Sequence, residues 1–204
     1  PSLSFVFLLI PGILWFYSTS YKRRFLLGNI LVALLTALVT LMPLLFELPL
    51  LHTAYWQSVV MSPSTFNIIF YWIGGYALFA FCLTLFREIV KDMEDVEGDK
   101  EYGCKTLPIV LGLPTSRNVA AALLMVIILL ITYLFGAFLN YLPSGKFDLF
   151  TLLYLTIGLI IPMIYMIIRL LTAQEKKHFS RVSAVAKIVM LVGILYTIPF
   201  AILI

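Results

Sequence analysis

The sequence predicts an all-α, polytopic transmembrane helical bundle, and its composition, hydropathy and charge pattern all favour that fold class. Of the 204 residues, 62% are hydrophobic and 12% are charged. A soluble domain has about 45–50% apolar residues and about 25% charged residues. The mean hydropathy is +1.06. This composition excludes a disordered chain, which needs low hydrophobicity and high net charge. It also argues against a soluble domain, because most of the apolar surface would have no interior to enter.

Six apolar segments are long enough to cross a bilayer, since a spanning helix takes about 20 residues. Their length and scarcity of charge are typical of helices rather than barrel strands. We expect residues 1–204 to form a single transmembrane domain. The predicted spans are residues 3–18, 26–46, 65–86, 115–139, 149–171 and 183–203.

The connections between these spans predict an orientation. With six spans, the first, third and fifth connections (19–25, 87–114 and 172–182) lie on one side of the membrane. Of the 14 Lys and Arg residues, all but Lys146 fall in or beside these three. The positive-inside rule therefore predicts an integral protein of the inner cell membrane with these three loops cytoplasmic. The same bias explains the net charge of +4, so we expect no nucleic-acid partner.

Seven of the ten acidic residues lie within 14 residues directly after the third predicted span. If the helix continues beyond the membrane, four acids spaced 4, 3 and 4 residues apart share one face. They are Glu88, Asp92, Asp95 and Asp99. Gly98 is the position where we expect the helix to end if it ends early.

Carboxylates at such spacings repel one another, so a cation should lie against them. Arg87 and Lys91 flank the face and offset part of the repulsion. A hard divalent cation such as Mg²⁺ offsets it better, because it prefers oxygen ligands. The plain alternative is a solvated juxtamembrane helix whose charges only keep the interface wet.

Residues 87–112, REIVKDMEDVEGDKEYGCKTLPIVLG, resemble the second aspartate-rich motif of the UbiA superfamily of intramembrane prenyltransferases. Asp95 and Asp99 match the family's DxxxD pattern. Residues 16–29, FYSTSYKRRFLLGN, resemble the end of the family's fourth helix and the basic loop after it. The resemblance covers essentially the whole chain. The DxxxD pattern is followed by the family's usual glycine, Lys-Thr pair and proline-containing run, here Gly103, Lys105, Thr106 and Pro108.

The resemblance implies a fold of nine transmembrane helices, with two aspartate motifs facing each other across a central cavity. The six spans here then correspond to helices four to nine. The family's first motif, Asn-Asp-xx-Asp, does not occur in these residues. We therefore expect an N-terminally incomplete domain that is inactive alone, with about three more spans in the complete protein. The alternative is a non-catalytic truncated fragment.

The activity that the resemblance implies is prenyl transfer inside the membrane. A prenyl diphosphate donates its isoprenoid chain to an aromatic quinone precursor or to a glycerol-phosphate-type acceptor. Mg²⁺ assists ionisation of the allylic diphosphate by stabilising the leaving group. An aromatic-rich cavity shields the allylic cation from water. The sequence leaves open the acceptor, the prenyl length and the oligomeric state.

The resemblance also implies a set of site residues. Asp95 and Asp99 are expected to bind metal, with Asp92 as an additional ligand, and Glu88 is expected to act with Asp95 and Asp99 in catalysis. The expected substrate-binding residues are Tyr17, Ser18, Lys22, Lys91 and Lys105. The alternative for Lys105 is a simple juxtamembrane lysine without a role in binding.

Two rival functions fit the sequence less well. Ionisable residues inside a membrane mark ion or proton transporters, but the acids here lie at and beyond a helix end. A CDP-alcohol phosphotransferase also has clustered aspartates, yet the Asp-Gly-xx-Ala-Arg sequence that precedes its DxxxD is absent from these residues.

Overall fold

A computed structural model describes residues 4–16, 25–54, 63–139 and 147–203. Every regular element in this part of the chain is helical. Two π-helical segments, Phe135–Leu139 and Thr156–Ile160, adjoin the α-helices. The α-helices are α1 (Ser4–Phe16), α2 (Leu27–Ala54), α3 (Pro63–Glu94), α4 (Val96–Glu101), α5 (Leu107–Leu111), α6 (Leu113–Leu134), α7 (Leu149–Leu155), α8 (Ile161–Leu171), α9 (Lys176–Leu195) and α10 (Thr197–Leu203).

Five helical segments in the described residues are long and apolar enough to cross a membrane. They match the second to sixth predicted spans and confirm an integral membrane protein with an all-α, polytopic fold. The first predicted span, 3–18, is helical over α1, and residues 17–24 lie outside the described part. The five segments are Leu27–Glu47, Phe70–Glu94, Leu113–Leu139, Leu149–Leu171 and Lys176–Ala201.

The chain divides into two compact units, residues 1–85 and 86–204, and the division falls inside α3. In the first unit, Ala33 and Leu44 of α2 and Ala77 of α3 are buried. The second unit contains the whole acidic cluster. The expectation of a single domain stays a prediction.

The core of the second unit is built by α6, α8 and α9, and α8 packs against both of the others. Their buried residues recur every three or four positions, which makes one apolar face per helix. Arg117 also joins α6 to the end of α8, because its Nη1 donates hydrogen bonds to the carbonyl oxygens of Leu171 and Ala173, at 3.2 and 2.7 Å. The fully buried core includes Leu124, Ile127, Met163, Met166, Leu170, Val182, Ala186 and Val189.

The π-helical segment between α7 and α8 packs closely against α9. Gly158 lies in this segment, and a Cβ atom there would stand 2.8 Å from Cγ1 of Val192. A small residue is therefore required for the close approach of the two helices. The hydroxyl of Tyr154 donates to the carbonyl oxygen of Val192 at 2.9 Å and fixes the same contact.

Contacts at the helix ends agree with the predicted alternation of the connections. Asp95 and Lys176 form an ion pair of 3.1 Å, which joins the third connection to the fifth. At the other end of α9, the hydroxyl groups of Thr151 and Tyr196 lie 2.8 Å apart. The third and fifth connections therefore lie at one end of the second unit, as six spans require.

The last helix begins earlier than its apolar segment. The sequence places the start of the final span at residue 183, whereas α9 begins at Lys176, about two turns before it. The extra turns are polar and were not visible in the hydropathy pattern. They carry the side chains of Lys176 and Ser180 to the end of α3.

Asp148 caps the start of α7 and gives a test of this packing. Its carboxylate, in a residue only 6% exposed, accepts a hydrogen bond of 2.9 Å from the backbone N–H of Thr151. Loss of such a cap costs about 0.5–2 kcal/mol. We expect Asp148→Ala to lower the thermal unfolding midpoint by about 2–6 °C, while Asp148→Asn, which keeps a cap oxygen, lowers it less. Equal midpoints for wild type and Asp148→Ala would contradict this role.

Candidate active site

The acidic cluster starts on α3 and continues on α4, with a bend at Asp95. Asp95 has φ −106° and ψ 14°, outside the α-helical region. Helical hydrogen bonds nevertheless continue through the bend: Asp95 N–H donates to Lys91 O at 3.0 Å, and Asp99 N–H donates to Asp95 O at 2.9 Å. Asp95 and Asp99 are therefore one helical turn apart, as the DxxxD pattern predicts.

The expectation that Gly98 ends the helix is wrong. Gly98 lies inside α4, and the interruption falls three residues earlier, at Asp95. Asp95 occupies the N-cap position of α4, where Asp is favoured, but its side chain makes no capping hydrogen bond and pairs with Lys176 instead. The bend therefore falls at a residue whose carboxylate is directed to another helix.

Exposure differs around the acidic segment, as one acidic face beside an apolar face requires. Phe86, Val90, Met93 and Val96 are buried and form the apolar face. Glu97 and Glu101 are exposed. The four acids of the predicted face (Glu88, Asp92, Asp95 and Asp99) are instead partly buried, as is Glu94 outside that face.

Two ion pairs within the described residues offset part of the repulsion in the cluster, and they differ in burial. Arg87 Nη1 lies 2.9 Å from Glu88 Oε1, and the Glu88 side chain is only 13% exposed. Lys176 Nζ lies 3.1 Å from Asp95 Oδ1, with the two side chains 70% and 47% exposed. Solvent screens an exposed pair, so it contributes little to stability. Asp95 can therefore exchange Lys176 for another cation at little cost.

A cleft of about 260 Å³ lies between the end of α3 and the first turns of α9. On each helix its lining residues follow three- and four-residue spacings, so each helix contributes one face. Two predicted site residues, Lys91 and Asp95, line the cleft together with residues of α9 that the sequence analysis did not predict. Its lining consists of Arg87, Lys91, Glu94, Asp95, Ser180, Ser183, Ala184 and Lys187.

The other predicted site residues lie outside this cleft. Glu88 pairs with Arg87 but is not a lining residue, and neither Asp92 nor Asp99 lines the cleft. Lys105 is exposed in the segment after α4. The three remaining predictions, Tyr17, Ser18 and Lys22, fall outside the described residues.

The chain turns sharply after α4. Gly103 has a φ of +66°, in the left-handed region that favours glycine. Cys104 N–H donates to Asp99 O at 2.9 Å and closes the turn. The turn leads directly into Lys105 and Thr106. Thr106 is only 5% exposed, and its hydroxyl has no hydrogen-bond partner among the described residues.

The carboxylates fit part of a magnesium site. Among the described residues, no group of three or more His, Cys, Asp or Glu side chains is arranged to hold a metal ion. Asp92, Asp95 and Asp99 therefore do not form a complete protein cage. Mg²⁺ is usually held by one or two carboxylates and completed by substrate phosphates. Two carboxylates one helical turn apart, Asp95 and Asp99, suit that arrangement.

Membrane-spanning helices with carboxylates and cations gathered at one end define an integral membrane protein whose site can bind charged ligands. The model of the UbiA prenyltransferase family matches residues 1–192. The chain belongs to this family, which confirms the resemblance seen in the motif.

Relatives with known names agree with this assignment. The chain is similar to the digeranylgeranylglyceryl phosphate synthase of Methanosphaera stadtmanae, with 31% identity over 179 residues, which are 87% of this chain and 55% of that relative. The protein of the same name from Methanothermobacter thermautotrophicus is 31% identical over 177 residues, 85% of this chain and 52% of that relative. The chain thus spans about half the length of these relatives. No solved structure matches it significantly.

The exposed ion pair at Asp95 gives a test of the site's electrostatics. We expect Lys176→Ala to leave the midpoint of denaturation close to that of wild type, because solvent screens the pair. Lys177→Ala, at the next position, which is also exposed, is the matched control in the same denaturation measurement. A clear loss of stability that is specific to Lys176→Ala would show instead that the pair is a structural anchor.

Proposed function

We propose that the complete protein transfers a prenyl group from its diphosphate to a hydroxyl group of a glycerol-phosphate acceptor within the membrane. Membership of the UbiA prenyltransferase family supports prenyl transfer. The structural observation that carries the proposal is the pair of carboxylates, Asp95 and Asp99, one helical turn apart beside a charged cleft. The inactivity of residues 1–204 alone stays a prediction.

The proposed acceptor follows from the relatives. Both are named for a phosphorylated glycerol lipid with two geranylgeranyl groups. A synthase of that product adds the second group to a glycerol phosphate that carries the first. A quinone precursor, the other acceptor expected from the sequence, receives no support from these names.

The reaction breaks one carbon–oxygen bond and forms another. The allylic carbon separates from the diphosphate oxygen, and the electron pair leaves with the diphosphate. The acceptor hydroxyl oxygen forms an ether bond to that carbon, and its proton passes to an oxygen of the released diphosphate. Asp95 and Asp99 would hold Mg²⁺, which neutralises charge on the leaving diphosphate. Lys105, after the turn, adds positive charge for the diphosphate, and Lys91, on the cleft, also binds substrate.

We also propose that this chemistry takes place at the cytoplasmic face of the inner cell membrane. The connections 19–25, 87–114 and 172–182 hold nearly all the basic residues. The ion pair between Asp95 and Lys176 supports a common side for the third and fifth connections.

Substitution of the two aspartates tests the reaction. In the full-length protein, we expect Asp95→Asn and Asp99→Asn each to lower Mg²⁺-dependent diphosphate release by about 100-fold or more. The reason is that loss of charge stabilisation in the transition state is worth several kcal/mol. The matched controls are Glu97→Gln and Glu101→Gln, which remove exposed acids from the same short helix.

The controls should keep nearly the wild-type rate, and circular dichroism should show the same helix content in all four variants. Unchanged rates in both Asn variants would rule out the two aspartates as metal ligands.

Cysteine labelling tests the orientation. We place Lys100→Cys and Lys146→Cys separately in a background with Cys82→Ser and Cys104→Ser, and treat intact cells and inverted vesicles with a membrane-impermeant maleimide. Lys100→Cys should react only in inverted vesicles and Lys146→Cys only in intact cells, because Lys100 lies in a predicted cytoplasmic loop. The reverse pattern would overturn the orientation.

A further inference from the structure

The acidic and basic side chains that line the cleft between α3 and α9 lie at different positions along its length. The Asp95–Lys176 pair brings the last residues of α3 to the first residue of α9. Arg87 lies eight residues before Asp95, and Lys187 lies eleven residues after Lys176. At 1.5 Å per residue along the helix axis, Arg87 and Lys187 are therefore roughly 12 and 17 Å from the ion pair, towards the same end of the cleft.

The two ends of the cleft therefore differ in charge. The end near the ion pair contains Glu94 and Asp95. The far end contains the cations Arg87 and Lys187, with Lys91 one helical turn from Arg87. A polarised cleft of this kind can hold an anion at one end and a cation at the other.

The cationic end has hydrogen-bond donors without acceptors. Nε of Arg87 is buried and has no acceptor among the described residues, although Nη1 of the same side chain pairs with Glu88. A buried donor without an acceptor is unfavourable, more so when it is charged, and a ligand oxygen would remove that cost. Neither Lys91 nor Lys187 takes part in a salt bridge among the described residues.

The lining between the two ends also suits a phosphate. Ser180 and Ser183 lie on α9 between Lys176 and Lys187 and contribute two hydroxyl groups from the same face of the helix. Arg with Lys binds phosphate oxygens through short, charge-assisted hydrogen bonds without a metal ion. The volume of about 260 Å³ lies below the roughly 300–1,000 Å³ of pockets for drug-sized ligands. It fits a small headgroup whose prenyl chain stays in the bilayer.

We infer that Arg87, Lys91, Ser180, Ser183 and Lys187 form a phosphate-monoester subsite that holds the headgroup of the acceptor. The inference rests on the proposed function, in which two anionic substrates are bound at once. Their like charges repel, so the acceptor phosphate needs its own cations, separate from the carboxylate end that serves the donor. In this arrangement α9 sets the specificity for a phosphorylated acceptor.

The test compares Lys187→Gln, Lys187→Arg and the control Lys177→Gln in the full-length protein, reconstituted in nanodiscs of phosphatidylcholine alone. This lipid excludes anionic headgroups as competitors for the subsite. Lys177 is exposed on the same helix but does not line the cleft. The acceptors are a monoprenylglyceryl phosphate and the corresponding monoprenylglycerol, and KM is measured for each acceptor and for the prenyl diphosphate.

We expect Lys187→Gln to raise the KM of the phosphorylated acceptor about tenfold, because a charge-assisted hydrogen bond is lost. The KM of the donor and the KM of the monoprenylglycerol should stay within about twofold of wild type. Lys187→Arg should restore most of the affinity, and Lys177→Gln should behave as wild type. An unchanged acceptor KM, or an equal rise in the donor KM, would overturn the subsite.

Calorimetric titration of monoprenylglyceryl phosphate in the absence of donor separates this inference from the proposed function. If wild-type protein binds this lipid phosphate but transfers no prenyl group to it, the proposed function fails and the subsite stands. If Lys187→Gln and Lys177→Gln bind it equally, the subsite fails, whatever the turnover.

Discussion

Electrostatic repulsion between carboxylates constrains the end of α3. Seven carboxylates fall within 14 residues, and at helical spacings they oppose one another. In the described part of the chain, Arg87 of α3 forms an ion pair with Glu88, and Lys176 of α9 forms one with Asp95. The second cation comes from the polar start of α9, which extends about two turns before the apolar segment of that helix. The cleft is the space that these two helix ends enclose.

The two ion pairs divide the acids into different roles. The pair of Arg87 with Glu88 is largely buried on the acid's side and is expensive to break, because it would leave a partly desolvated charge. The pair of Lys176 with Asp95 is exposed and weak. Glu88 is therefore suited to fix the position of Arg87 at the cleft, while Asp95 remains available for another cation. The same difference separates the cationic end of the cleft from its carboxylate end.

The sequence predicted the membrane spans well because apolar length is a direct requirement of the bilayer. It also predicted that Asp95 and Asp99 lie one turn apart, since the DxxxD spacing is a helical spacing. It missed the bend at Asp95, where the carboxylate pairs with Lys176 of another helix and makes no capping hydrogen bond. It also missed Ser180, Ser183 and Lys187, because only the packing of α9 against the end of α3 shows that these residues line a cleft. A signal was present, since Lys187 is an ionisable residue inside an apolar segment, which usually marks a functional position.

Location of the bound metal tests most directly whether these carboxylates serve the diphosphate. The measurement is a crystal structure of the full-length protein with Mn²⁺ and a non-hydrolysable prenyl diphosphate analogue, with diffraction data collected at the manganese absorption edge. The anomalous density should lie between the analogue's diphosphate and the carboxylates of Asp95 and Asp99, with Lys176 displaced from Asp95. A manganese peak remote from both aspartates, with their carboxylates directed into bulk solvent, would contradict the account.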